Sequence, residues 1–102
     1  MSVGVTRLGF PVGSGVVDTA VTVTDAPTPL PATGAKDRQA LLIQNNSDSI
    51  YIYIGGSKVT TASGFKLHPN GSLPLNCHDG SVIYAICPIG QTADVRCLES
   101  II

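Results

Sequence analysis

Glycine and proline are spread along the whole chain and divide it into short segments that suit β-strands better than helices. The 102 residues include 11 glycines and 7 prolines, and both residue types weaken or break a helix. The intervening segments are β-branched or alternate in polarity, which is typical of strands. The sequence therefore predicts an all-β domain of about seven to nine short strands separated by turns, with no helix of useful length.

The strands are predicted from their alternation and from the turn residues that bound them. They cover residues 20–25, 38–45, 50–54, 58–61, 65–67, 72–76, 81–87 and 93–99. The three prolines of residues 26–33 predict an edge segment or an extended connection, and Pro74 places residues 72–76 at a sheet edge.

Three finer expectations concern how these strands pack. Residues 38–45 and 50–54, joined by the turn-forming residues 46–49, are predicted to form a hairpin. Residues 81–87 are apolar on both faces and are predicted to be the most buried strand. In residues 93–99, the side chains of Ala93, Val95 and Cys97 are expected to face the core. Those of Asp94, Arg96 and Glu99 are expected mostly on the other side.

The chain has the length of one domain. Strands this short are not stable alone, so two sheets must pack face to face. We expect a single-domain β-sandwich of jelly-roll type over residues 20–102, preceded by an extended N-terminal arm over residues 1–19. The arm is rich in glycine yet too apolar for a solvated tail. Its apolar residues are therefore candidates for binding a partner: Val5, Leu8, Phe10 and Val12.

Charged residues are scarce, at 13% of the chain with a net charge of −1, against about 25% in typical domains. The basic residues form no run, so neither nucleic acid nor an anionic membrane is an expected partner. No apolar run is long enough to span a membrane, and no secretory signal is evident. So little charge leaves much of the surface apolar or neutral, which predicts contact surfaces and a homo-oligomer, with a trimer preferred over a dimer.

Five segments resemble the small structural proteins of tailed bacteriophage virions. They read RQALLIQN, IYIYIGGSKVTTASG, LHPNGSLPL, VIYAI and DVRCLE, in that order. The flow of strands and turns over residues 20–100 is similar to that of head decoration (cement) proteins and head-fibre proteins. The resemblance implies a virion component made in the host cytoplasm that binds the major capsid protein or other virion proteins. A head-fibre or tail component is the alternative it leaves open.

Catalytic and metal chemistry find little support in the sequence. Cys77, His78 and Asp79 are the only cluster of suitable types, but adjacent strand residues point to opposite faces and the usual zinc-ligand spacings are absent. Cys77, Cys87 and Cys97 have no nucleophile signature around them and are expected to be free, non-catalytic thiols. We expect that the protein is not an enzyme and that it binds no metal and no cofactor. Tyr51 and Tyr53 share one face and are candidates for a partner surface, or for sugar stacking in a carbohydrate-binding attachment module.

Overall fold

The computed structural model describes residues 15–102 of the protein, and that part of the chain contains eight strands and no helix. The strands are β1 (Gly15–Val23), β2 (Thr28–Pro29), β3 (Arg38–Asn45), β4 (Ile52–Gly55), β5 (Phe65–Leu67), β6 (Ser72–Leu75), β7 (Tyr84–Ile86) and β8 (Ala93–Ile101).

The strands form two antiparallel sheets of four, ordered β1-β8-β3-β6 and β2-β7-β4-β5. The pairing is nested: β1 pairs with β8, β2 with β7, β3 with β6 and β4 with β5. Such a chain is a long hairpin folded over on itself, which is how a jelly roll of eight strands in two sheets is built. The prediction of an all-β sandwich of jelly-roll type is confirmed. The expected edge positions of β2 and β6 are confirmed as well.

The core lies between the two sheets and is formed mainly by inward-facing residues of the strands, together with Leu30 and Cys87, which directly follow β2 and β7. Its fully or almost fully buried members are Val23, Leu30, Leu41, Ile43, Ile52, Ile54, Leu67, Ala85, Cys87, Ala93, Val95 and Cys97. The core-facing positions of Ala93, Val95 and Cys97 in β8 are thus confirmed. The same alternation extends to Glu99, which is also buried. The expectation that Glu99 lies mostly on the outer side is wrong, because it shares the odd-numbered face.

The predicted hairpin between residues 38–45 and 50–54 is wrong. Strand β3 pairs with β6 and β8, whereas β4 pairs with β5 and β7 in the other sheet. The intervening turn residues therefore carry the chain from one sheet to the other. A turn signal gives a change of direction but does not say which strand will supply the hydrogen bonds.

The predicted strand at residues 58–61 is also wrong, since this segment belongs to a turn-rich loop. The N–H of Val59 donates to the carbonyl of Gly56 (3.0 Å), and that of Gly64 donates to the carbonyl of Thr60 (2.9 Å). These local bonds take the donors that a strand would use across a ladder. The side chain of Val59 is buried and anchors the loop.

Two further expectations need correction. Strand β1 begins at Gly15, which pairs with Ile101, so residues 15–19 lie in the sheet and not in an arm. Of residues 81–87 only Tyr84–Ile86 form a strand, and it is not the most buried one, because only Ala85 of the three is fully buried. Strands β3 and β8 hold more buried residues. The remainder of the predicted arm, with Val5, Leu8, Phe10 and Val12, lies outside the described residues.

Replacing Gly64 with alanine is expected to destabilise the fold. A Cβ at Gly64 would lie 2.7 Å from the Cβ of Tyr53 and 2.8 Å from Cγ2 of Val59. Since Cβ of Tyr53 is fixed by the backbone of β4, the loop must move, which costs about 1–3 kcal/mol. Urea denaturation of G64A measures the cost. Gly56→Ala is the matched control, because a Cβ there meets nothing within 4 Å; equal stability of the two variants would contradict the prediction.

Candidate interaction surface

An open apolar groove of about 450 Å³ lies between the two sheets at one edge of the sandwich. Strands β4 and β5 contribute one wall, β6 the other, and the segment before β7 closes it. Its large side chains are Ile54, Phe65, Leu73, Leu75, Val82 and Ile83. Grooves of about 300–1,000 Å³ with apolar walls are the usual shape of binding sites in proteins. We call this feature the inter-sheet groove.

Two large apolar side chains at the inter-sheet groove remain exposed to solvent. Phe65 is 59% exposed and Val82 is 49% exposed. Phe65 pairs with Ile54 and so points to the core side of its sheet, at the place where the two sheets leave the core open. Gly55 and Gly56 also line the groove, and a Cβ at Gly56 would meet nothing within 4 Å. An uncovered apolar surface of this kind on a small domain is a candidate contact site.

Both strands beside the groove are sheet edges. Among the described strands, β5 pairs only with β4, and β6 pairs only with β3. Pro74 lies in β6, and proline has no N–H to offer a further strand, so it protects that edge against indiscriminate pairing. A partner in the inter-sheet groove would therefore gain little from backbone pairing with β6, whereas the edge of β5 carries no proline.

A buried ion pair holds one wall of the groove in place. Nη1 of Arg38 lies 3.0 Å from Oε2 of Glu99, and both side chains are almost fully buried. Nη2 of Arg38 donates to the carbonyls of His78 and Ser81, each at 2.8 Å. Nε of the same arginine donates to the carbonyl of Cys77 at 3.3 Å. Arg38 thus fixes the segment that leads directly into Val82 of the groove.

Sequence reasoning missed the roles of Arg38 and Glu99. The sequence did indicate the burial of Glu99, because side chains alternate along a strand and Glu99 lies on the same odd-numbered face of β8 as Ala93. A buried carboxylate requires a partner. Its oxygen Oε2 also accepts a hydrogen bond from the N–H of Ala35 at 2.8 Å. No periodicity in the sequence identifies that partner, because Arg38 is 61 residues away.

A buried asparagine ties the two sheets together at the end of β3 and was likewise not anticipated. Nδ2 of Asn45 donates to the carbonyls of Ile50 (2.8 Å) and Leu67 (3.2 Å). Its Oδ1 accepts from the hydroxyl of Ser47 at 2.7 Å. Asn45 therefore fixes the crossing between the sheets and the start of the connection from β5 to β6. It has a structural role and lies away from the groove lining.

The two candidate tyrosines lie on the outer face of the second sheet, since Ile52 between them is buried. Tyr51 is 36% exposed, and Tyr53 is half-buried beside its cross-strand partner Lys66. Nζ of Lys66 lies 4.6 Å from the ring centroid of Tyr51. The ring of His68 meets the same tyrosine edge-on at 5.2 Å between centroids. One face of Tyr51 is therefore already engaged, which reduces the flat area available for stacking on a sugar.

The three cysteines are free thiols, as predicted. Burial, and then the negative charge of Glu99, raises the pKa of Cys97 to about 12. Burial, and then Asp25, raises the pKa of Cys87. Both thiols stay protonated at neutral pH and are therefore poor nucleophiles. Over residues 15–102, no three His, Cys, Asp or Glu side chains are grouped so that they could hold a metal ion.

We expect Cys87 and Cys97 to resist alkylation in the folded protein at pH 8, since each is both buried and protonated. Cys77 is half-buried and serves as the internal control. Iodoacetamide labelling read by peptide mass spectrometry should give modification at Cys77 well before the other two. In urea all three should react at similar rates. Fast native labelling of Cys97 would show that β8 opens readily.

Comparison of the chain with protein-family models, with curated proteins and with solved structures found no match. In the part of the chain that the structure describes, no helix is long and apolar enough to cross a membrane.

Proposed function

We propose that this protein is a non-enzymatic structural component of a tailed-phage virion, a capsid decoration protein that binds and stabilises the assembled head. The observation that carries the proposal is the inter-sheet groove, an exposed apolar surface on a domain with very little charge. The resemblance of the sequence to virion proteins supports a place in the phage particle. The partner is the major capsid protein or another virion protein.

The physical chemistry of the domain suits a static binding role. The buried Arg38 and Glu99 are paired with each other and with backbone groups, and the buried Cys87 and Cys97 are held protonated. These groups serve the fold. The surface contributes free sheet edges and exposed apolar side chains, which provide affinity through burial when a neighbour covers them. A decoration protein on a lattice needs these parts and no catalyst.

The test is incorporation into phage heads. Heads of the parent phage that lack this protein are mixed with purified wild type or with Phe65→Asp, and bound protein is measured after sedimentation. Wild type should bind to saturation and F65D should lose most of its binding, because a carboxylate would be buried at the contact. Ile89→Asp is the matched control, since Ile89 is 92% exposed on the turn at the other end of β7.

The outcome also separates the alternatives. Binding to tails and not to heads would favour a tail component. Binding to neither, together with retention on an immobilised polysaccharide that is lost in Tyr51→Ala, would favour a carbohydrate-binding attachment module. Equal binding of F65D and wild type to heads would remove the inter-sheet groove from the proposal.

A further inference from the structure

We propose that the inter-sheet groove of one copy binds residues 8–12 of a second copy, so that neighbouring copies are linked by exchanged arms. This inference rests on the proposed structural function and names the occupant of the same groove. The chain itself supplies both parts of the contact, because each copy carries one groove and one such segment.

The chemistry of the segment matches that of the groove. Leu8, Phe10 and Val12 alternate with Gly9 and Pro11, so an extended conformation places the three large apolar side chains on one side. Residues 8–17 carry no charged side chain. The groove is lined by aliphatic and aromatic side chains, with Phe65 and Val82 left open to solvent. An uncharged apolar segment can enter it without burying an unpaired charge.

The position of Gly15 directs the segment to a second copy and away from its own groove. Gly15 lies in β1, at one edge of the first sheet, whereas the groove lies beside β6 at the opposite edge. Three strand spacings separate those edges, or about 14 Å. Three residue steps join Val12 to Gly15 and span at most about 11 Å. The backbone of Val12 therefore cannot reach the backbone of β6 in its own chain, which favours the groove of another copy.

An exchange of this type has a defined consequence for assembly. The donor surface and the acceptor surface are different parts of the chain, so the contact is head-to-tail. Head-to-tail contacts close into a ring when the rotation between copies allows it, and this would give a cyclic homo-oligomer such as the trimer expected from the sequence.

Disulfide trapping between two differently tagged populations tests the inference. One population carries Val12→Cys, at one of the three positions that face the groove, and the other carries Gly56→Cys, on the groove lining where a Cβ meets nothing within 4 Å. Both carry Cys77→Ser to remove the half-buried native thiol. Under mild oxidation, V12C and G56C should form a mixed dimer at least about tenfold faster than V12C with the exposed control Ile89→Cys, since bound thiols meet at millimolar effective concentration. Adding Phe10→Asp to the V12C chain should abolish the excess.

Several results would overturn the inference. One is a disulfide within a single chain of the double variant V12C/G56C, since it would place the segment in its own groove. Another is equal trapping by G56C and I89C. If trapping fails while wild type still binds heads and F65D does not, the groove takes a capsid segment and the proposed function stands. If trapping succeeds but no variant binds any virion part, the arm exchange stands and the proposed function fails.

Discussion

Replacing Glu99 with leucine is expected to lower the free energy of unfolding by about 3–5 kcal/mol, which is the usual effect of removing one partner from a buried ion pair. The change leaves the guanidinium of Arg38 buried without its counter-ion. It also leaves the N–H of Ala35 without its acceptor. A small domain has only about 5–15 kcal/mol in total, so E99L should melt far below wild type. Chemical denaturation followed by fluorescence or circular dichroism measures the loss.

The exposed pair Arg96 and Asp94 supplies the control for Glu99. Its nitrogen and oxygen lie 2.9 Å apart, close to the separation in the buried pair, but both side chains are about half exposed. Solvent screens such a pair, so Arg96→Met should change stability little. If E99L and R96M were equally stable, the carboxylate of Glu99 would not be the buried partner of Arg38.

Replacing Ile43 with alanine is expected to cost about 2–5 kcal/mol, because it leaves a cavity at a fully buried site. Ile43 lies on the core face of β3, opposite Leu73 on one side and Cys97 on the other. The substitution removes three carbon atoms that neighbours on both strands contact, and the sheets cannot close over the gap without moving.

The next residue in the same strand is the control for Ile43. Leu42 is half-buried and points to the outer face of the sheet. Leu42→Ala removes the same number of carbon atoms at a site that solvent already reaches, so it should cost about 1 kcal/mol or less. Urea titrations of the two variants, compared at equal m-values, measure the loss in free energy of unfolding that each substitution causes. Similar losses would mean that β3 is buried on both faces by a contact between copies.

Much of the local structure could be predicted from the sequence because its signals are local. Alternation in residues 93–99 placed Val95 and Cys97 in the core, and Pro74 placed β6 at an edge. The predicted strands at residues 65–67 and 72–76 are present, and between them Asn70 adopts the positive φ (63°) that asparagine tolerates in turns. In each case the residues that carry the information lie within a few positions of each other.

The errors arose where the information is distant along the chain. The run at residues 58–61 has the composition of a strand, yet it lies in a loop, where the N–H of Gly64 donates to the carbonyl of Thr60 and not to a neighbouring strand. The partition of β3 and β4 between sheets depends on β8, which follows dozens of residues later. Register with distant strands decides such pairings, and it is not visible in a short window.

The candidate site could also be predicted only in part. The scarcity of charged residues in the sequence indicated an apolar contact surface, but it did not indicate where on the fold that surface lies. Phe65 and Val82 lie 17 positions apart, and only the jelly-roll pairing brings them to the same groove. The ion pair of Arg38 and Glu99 was missed for a similar reason. Polar residues inside a core are recognised by what surrounds them, and those surroundings exist only after folding.

The nested pairing also determines the order in which a growing chain can fold. Strand β1 is made first, but its only partner among the described strands, β8, is made last. About 70 residues separate Val23 from Ala93, so at 5–20 residues per second a ribosome needs roughly 4–14 s to supply the partner. Strand β4 can meet β5 much sooner. We therefore expect the valine-rich β1 to remain unpaired during synthesis, when its exposed edges can aggregate, and slower translation to lower the yield of native protein.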